Sequence, residues 1–134
     1  MFNFTRFLSA ATIGLALTFG LALATQAAPA DYAFEPVKAE VKNAAGTELA
    51  VRLVHKPTGK PVANAVVFRS RLDMSPENMA EHTAGLEALP ATEPGVYRFK
   101  AEISMAGSWA LKLMAKVPGE TETVEGAVIF RAKD

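Results

Sequence analysis

A two-residue hydrophobic period, running from about residue 37 to the C-terminus, limits the fold of this chain more than any other feature. Val37, Ala39 and Val41 alternate with Lys38, Glu40 and Lys42, and Leu49, Val51 and Leu53 alternate with Glu48, Ala50 and Arg52. Successive side chains of an extended chain point to opposite faces, so this alternation marks strands with one buried face. Val66, Phe68, Ser70 and Leu72 continue it, with Arg69 and Arg71 turned outward. Tyr97, Phe99, Ala101 and Ile103 follow, then Trp109, Leu111 and Leu113, and last Val124, Val128 and Phe130. Turn chemistry separates the runs at residues 43–46 and 56–61, at Gly107 and at Pro118-Gly119. Short strands at this spacing, without long helical patterns, predict an all-β fold: an immunoglobulin-like antiparallel β-sandwich of six or seven strands. Trp109, the sole tryptophan and central in its strand, is expected to anchor the core.

The chain has 134 residues, room for one small domain. Lys+Arg and Asp+Glu both total 14, and this zero formal charge argues against a protein built to neutralise nucleic-acid phosphates. There is no cysteine, which excludes disulfides, thiolate metal sites and thiol catalysis. Hydrophobic residues make up 50% of the chain, too many for a disordered one.

Residues 1–27 read as a secretory signal peptide. Arg6 is the only charge before Asp31, residues 7–24 are almost wholly apolar, and Ala24-Thr25-Gln26-Ala27-Ala28 offers a small-residue cleavage site after Ala27. The uncharged run 7–30 is also long enough to span a bilayer if it is retained as an anchor. Both readings place the folded part outside the cytoplasm, in a periplasm, with membrane contact only through an uncleaved N-terminal segment. Residues 28–35 are expected to be a short linker and residues 36–134 the domain.

Residues 73–94 interrupt the strand pattern. Ser75 suits an N-cap, Pro76 the first helical position, Glu77 the first turn and Gly85 a left-handed end. These signals predict a short helix, about two turns from Pro76 to about Ala84, in the crossover between two sheets. Met74 and Met79 then occupy the hydrophobic-staple positions, and His82 shares the face of Met79. Two thioethers and an imidazole so placed suit Cu(I), which prefers soft ligands. Met105, in the turn at residues 104–107, is a loop thioether able to join them. The same residues also suit roles without metal: a staple at a helix start, a histidine at a helix end, a methionine covering one end of the sandwich. Met114 is in phase with Lys112 and Lys116 and belongs to the outer surface, and His55 to a solvated loop.

Catalysis has little support. Two histidines are present, neither near a nucleophile elbow, and the carboxylates are scattered over outward strand faces. A phosphate-cradling glycine loop and a zinc-type histidine pair are both absent from the sequence. The expectation is a protein that is not an enzyme.

Gly59-Lys60-Pro61-Val62-Ala63-Asn64-Ala65-Val66, the Met/His segment, Pro94-Gly95-Val96-Tyr97 and Met105-Ala106-Gly107-Ser108-Trp109-Ala110-Leu111 together resemble the YtkA-like/FixH-like family of small exported immunoglobulin-like domains. The resemblance runs over about residues 37–132. It implies a periplasmic copper-binding or copper-transfer domain associated with heavy-metal efflux or cytochrome oxidase assembly. It also implies Cu(I) as the ion and Met74, Met79, His82 and Met105 as metal ligands. The implied partner is a copper donor or acceptor, or a membrane transport or assembly protein. The alternative is a metal-free interaction or adaptor module whose Met-bearing segment is an adaptable apolar surface.

Overall fold

The computed structural model describes residues 29–134; the signal-peptide reading of residues 1–27 lies outside them. Among the described residues no helix is long and apolar enough to cross a membrane. A 3-10 turn at Pro29–Asp31 leads into ten strands: β1 (Tyr32–Pro36), β2 (Glu40–Lys42), β3 (Thr47–His55), β4 (Lys60–Pro61), β5 (Val66–Met74), β6 (Met79–Ala84), β7 (Leu86–Leu89), β8 (Val96–Ala101), β9 (Gly107–Lys116) and β10 (Val124–Lys133). One sheet runs β1-β3-β8-β7, with β4 also on β3, and the other β2-β10-β9-β5-β6. Pairing is antiparallel except that β2 lies parallel to β10.

The two sheets close face to face. Leu49, Val51, Leu53, Phe99 and Ala101 of the first meet Leu72, Trp109, Leu111, Leu113, Val128 and Phe130 of the second, all buried. This is the expected immunoglobulin-like β-sandwich, in which the inward residue of each alternating pair builds a shared core.

Four strands beyond those legible in the alternation raise the number among the described residues to ten. Residues 28–35 are not a linker throughout, because β1 begins at Tyr32 and pairs with β3 from Tyr32↔His55 to Pro36↔Val51. Phe34 is its one buried side chain, too short a pattern to register as alternation. Gly126 of β10 makes room for that ring: a Cβ there would lie 2.7 Å from Phe34 Cδ2. Val37 is exposed rather than buried, since it follows β1 of one sheet and precedes β2 of the other.

A second correction concerns β5. The register against β9 shifts between Val67 and Arg69. A bulge adds one residue to a strand and so reverses which side chains face inward. Val67 packs against the core, whereas Val66 and Phe68, expected inside, are exposed; Leu72 is buried as expected.

Separated motif residues meet across the fold. The Tyr97 hydroxyl donates to the Val62 carbonyl at 2.8 Å and accepts from the Ala65 amide at 3.0 Å. Gly95, at φ +80°, approaches so closely that a Cβ there would be 2.5 Å from Pro61 Cβ. Its carbonyl accepts the Leu53 amide at 2.9 Å.

Candidate metal centre

The candidate site stands where β5 ends, at one end of the sandwich. Asp73 is wholly buried there. Its Oδ1 accepts the Ser75 amide at 2.9 Å, and its Oδ2 accepts from Arg71 Nε and Lys112 Nζ, both at 2.9 Å. Burial pushes this carboxyl upward, but hydrogen bonds from Lys112, Ser75 and Arg71 together outweigh it and hold the group well below the usual carboxylate range. Arg71 also donates to the Ala80 carbonyl at 2.8 Å, tying the start of β6 to β5. Both oxygens of Asp73 are therefore committed to structure.

The expected helix from Pro76 to Ala84 does not form. Ser75 begins a single 3-10 turn, Ser75–Glu77, whose N-cap is Met74 with no side-chain cap bond; the Asp73 carboxylate takes the Ser75 amide instead. Asn78, at φ 62°, stops the turn in the left-handed conformation that asparagine tolerates. Its N–H donates to the Ser75 carbonyl at 3.0 Å, and the chain then returns as β6 beside β5. Gly85 is not a left-handed helix end. It joins β6 of one sheet to β7 of the other, and its carbonyl accepts the Glu102 amide at 3.0 Å.

Met74 and Met79 consequently meet as cross-strand partners rather than as a helical staple. Met74 is buried at 1% exposure, while Met79 is 39% exposed. His82 does not stand one helical turn beyond Met79: it falls in the stretch of β6 where the register against β5 shifts, between Met79 opposite Met74 and Thr83 opposite Asp73. It is half-buried, its ring tilted at 47° to the Trp109 indole with centroids 5.4 Å apart. Ser104 Oγ lies 3.4 Å from His82 Nε2.

The turn before β9 completes the cluster. Trp109 Nε1–H donates to the Met105 carbonyl at 3.0 Å, which fixes the backbone that carries the Met105 thioether; that side chain is 41% exposed. Gly107, at φ +133°, sits against Met74: a Cβ would be 2.9 Å from Met74 Cε and 3.3 Å from Glu77 Oε1. Glu77 Oε1 accepts the Ser108 amide at 3.0 Å, locking the 3-10 turn to the start of β9.

One inner thioether, two exposed thioethers and a pinned imidazole thus occupy the same end of the domain. Among the described residues no group of three or more His, Cys, Asp or Glu could hold a metal ion. Trp109, Ser104 and Glu77 were not legible as parts of this cluster. Trp109 reads from the sequence only as core, and Ser104 and Glu77 carry no spacing signal toward His82 or Ser108. Two other residues stand apart. His55 packs on Tyr32, with centroids 5.3 Å apart, and its Nδ1 lies 2.8 Å from Thr58 Oγ1. Met114 is half-buried and pairs with Glu125 and Arg69 in the second sheet.

The family model for YtkA-like proteins matches residues 26–114, a stretch that includes Met74, Met79, His82, Met105 and Trp109. The chain belongs to the YtkA-like family. Among curated proteins none matches the sequence. Among solved structures, this YtkA-like domain is similar to the Yersinia pseudotuberculosis adhesin InvE at 10% identity and TM-score 0.46, over 78% of this chain and 27% of that one. It is also similar to the Lin-41 filamin domain at 14% identity and TM-score 0.41, over 73% of this chain and 91% of that one. The ZirS C-terminal domain aligns at 10% identity and TM-score 0.43, over 100% of this chain and 86% of that one.

Proposed function

We propose that this YtkA-like domain works in the periplasm as a Cu(I)-binding or copper-transfer module, in heavy-metal efflux or in cytochrome oxidase assembly. The observation that supports the reading is that Met74, Met79, His82 and Met105 all stand at one end of the sandwich: Met74 and Met79 are cross-strand partners, His82 packs on Trp109, and the same indole bonds the Met105 carbonyl. Thioether and imidazole donors favour Cu(I) over hard cations. Met74 serves as the inner donor. Met79 and Met105 face solvent and so can pass the ion to the exposed ligands of a donor or acceptor protein. The role is carriage rather than catalysis.

A second reading rests on those two exposed methionines alone: Met79 and Met105 form an adaptable apolar contact for a membrane transport or assembly protein, with no metal. One experiment separates the two. The purified protein is titrated with Cu(I) against a chromophoric Cu(I) chelator under reducing conditions, alongside the double variant Met74→Leu, Met79→Leu. Leu keeps the apolar bulk and removes the sulfur. The copper reading expects one equivalent captured by the native chain and none by the variant. Equal affinity of the two proteins overturns it, and an absence of binding by either favours the adaptor.

A further inference from the structure

β5 is paired with β9 along nearly its whole length, but on its other side β6 reaches only Leu72, Asp73 and Met74. Residues 66–71 therefore present an outer backbone row with no strand beside it among the described residues. Such a row is a template for another extended chain. Next to it the space between the sheets opens as a groove of about 340 Å³, walled by Val67, Phe68, Ala88, Leu89, Tyr97 and Phe99. Val66 and Phe68, at 61% and 49% exposure, leave apolar surface beside the groove.

Charge selects the occupant. Arg69 and Arg71 lie on the strand, and the Lys116 ammonium stands 5.9 Å from the Phe68 ring centroid. Arg71 is engaged by Asp73, whereas Arg69 and Lys116 take part in no ion pair among the described residues. A second copy of this chain, added antiparallel over the same residues, would bring two arginines from each strand into one short ladder, where like charges oppose pairing. A strand carrying carboxylates meets the opposite balance.

We infer that the 66–71 edge of β5 is a docking site for an extended acidic segment of a partner protein. The segment adds to the sheet as a strand, its apolar side chains entering the groove and its carboxylates meeting Arg69 and Lys116. This surface is independent of the methionine cluster, and the test is run without metal.

Two octapeptides serve as probes, one alternating valine with glutamate and one alternating valine with lysine, and amide hydrogen exchange of the full chain is read residue by residue. The glutamate peptide is expected to slow exchange within residues 66–71 and the lysine peptide is not. Arg69→Glu should lose the protection by the glutamate peptide and gain it from the lysine peptide, while Arg69→Gln should only weaken the first. Arg69 is exposed, so both variants should keep the native circular dichroism spectrum. Equal protection by both peptides, protection confined to other residues, or slowed exchange at residues 66–71 on raising protein concentration without peptide overturns the assignment.

Discussion

Trp109 holds two residues of the methionine cluster at once: its indole N–H donates to the Met105 carbonyl at 3.0 Å, and its ring packs on the His82 imidazole with centroids 5.4 Å apart. The indole itself is wholly buried among core residues. The end of the sandwich that carries the exposed thioethers is thereby built on the hydrophobic core rather than on a loop alone.

Trp109→Phe keeps an aromatic ring and removes the donor. Stability should fall by about 1–3 kcal/mol, from the lost ring volume and the unpaired Met105 carbonyl. On the proposed copper reading, Cu(I) affinity should weaken as well, measured by chelator competition beside urea denaturation. A loss of stability with unchanged affinity would show that Trp109 supports the core and not the site.

Asp73 makes the domain sensitive to acid. Its folded pKa lies below its unfolded value, so its contribution is fully present above the unfolded value near 4 and is lost as pH falls from there through the folded one. Asp73→Asn should cost about 2 kcal/mol at pH 7. That is below the usual cost of breaking a buried pair, because Arg71 and Lys112 are half-exposed and rehydrate. Urea midpoints of the native and variant proteins should converge as pH drops below about 4.

Gly95 and Gly59 separate backbone strain from steric contact. Both have positive φ, but a Cβ at Gly59 meets nothing within 4 Å, whereas one at Gly95 meets Pro61 Cβ at 2.5 Å and Val62 N at 3.2 Å. Gly59→Ala should cost about 1 kcal/mol, the left-handed penalty alone. Gly95→Ala should cost about 2–4 kcal/mol, because backbone atoms must also shift. Similar urea midpoints for the two variants would contradict the close approach of Gly95 to Pro61.

Phe34 and Gly126 form a coupled pair. Phe34→Ala should destabilise by about 3 kcal/mol through the cavity it leaves. Gly126→Ala forces a Cβ against the Phe34 ring and should also destabilise. The double variant should lose less than the sum, since truncating the ring removes the clash, and a double-mutant cycle measures the difference. Strict additivity would place Phe34 away from β10.

Strand positions were legible wherever alternation ran for several residues, as at Leu49, Val51 and Leu53. Phe34 escaped because a strand with one buried side chain has no period to detect. Phe68 misled because a bulge inverts inside and outside without changing the sequence pattern. The signals at Ser75, Pro76 and Glu77 are real, yet they specify one 3-10 turn. Asn78 ends that turn, and the open edge of β5 captures the residues beyond as β6.

By itself the sequence determined the strand-rich class, the places of the main turns, the absence of thiol chemistry and the donor types this chain possesses. Those follow from side-chain identity and from a period of two, both of which are local. What local pattern could not give is that Trp109 packs on His82 and bonds the Met105 carbonyl, that Met74 pairs with Met79, and that residues 66–71 keep a free edge; these the packed fold sets. Those relations depend on the register of β5 against β9 and on how far β6 extends, and pairing between distant segments is set by the packing of the whole core.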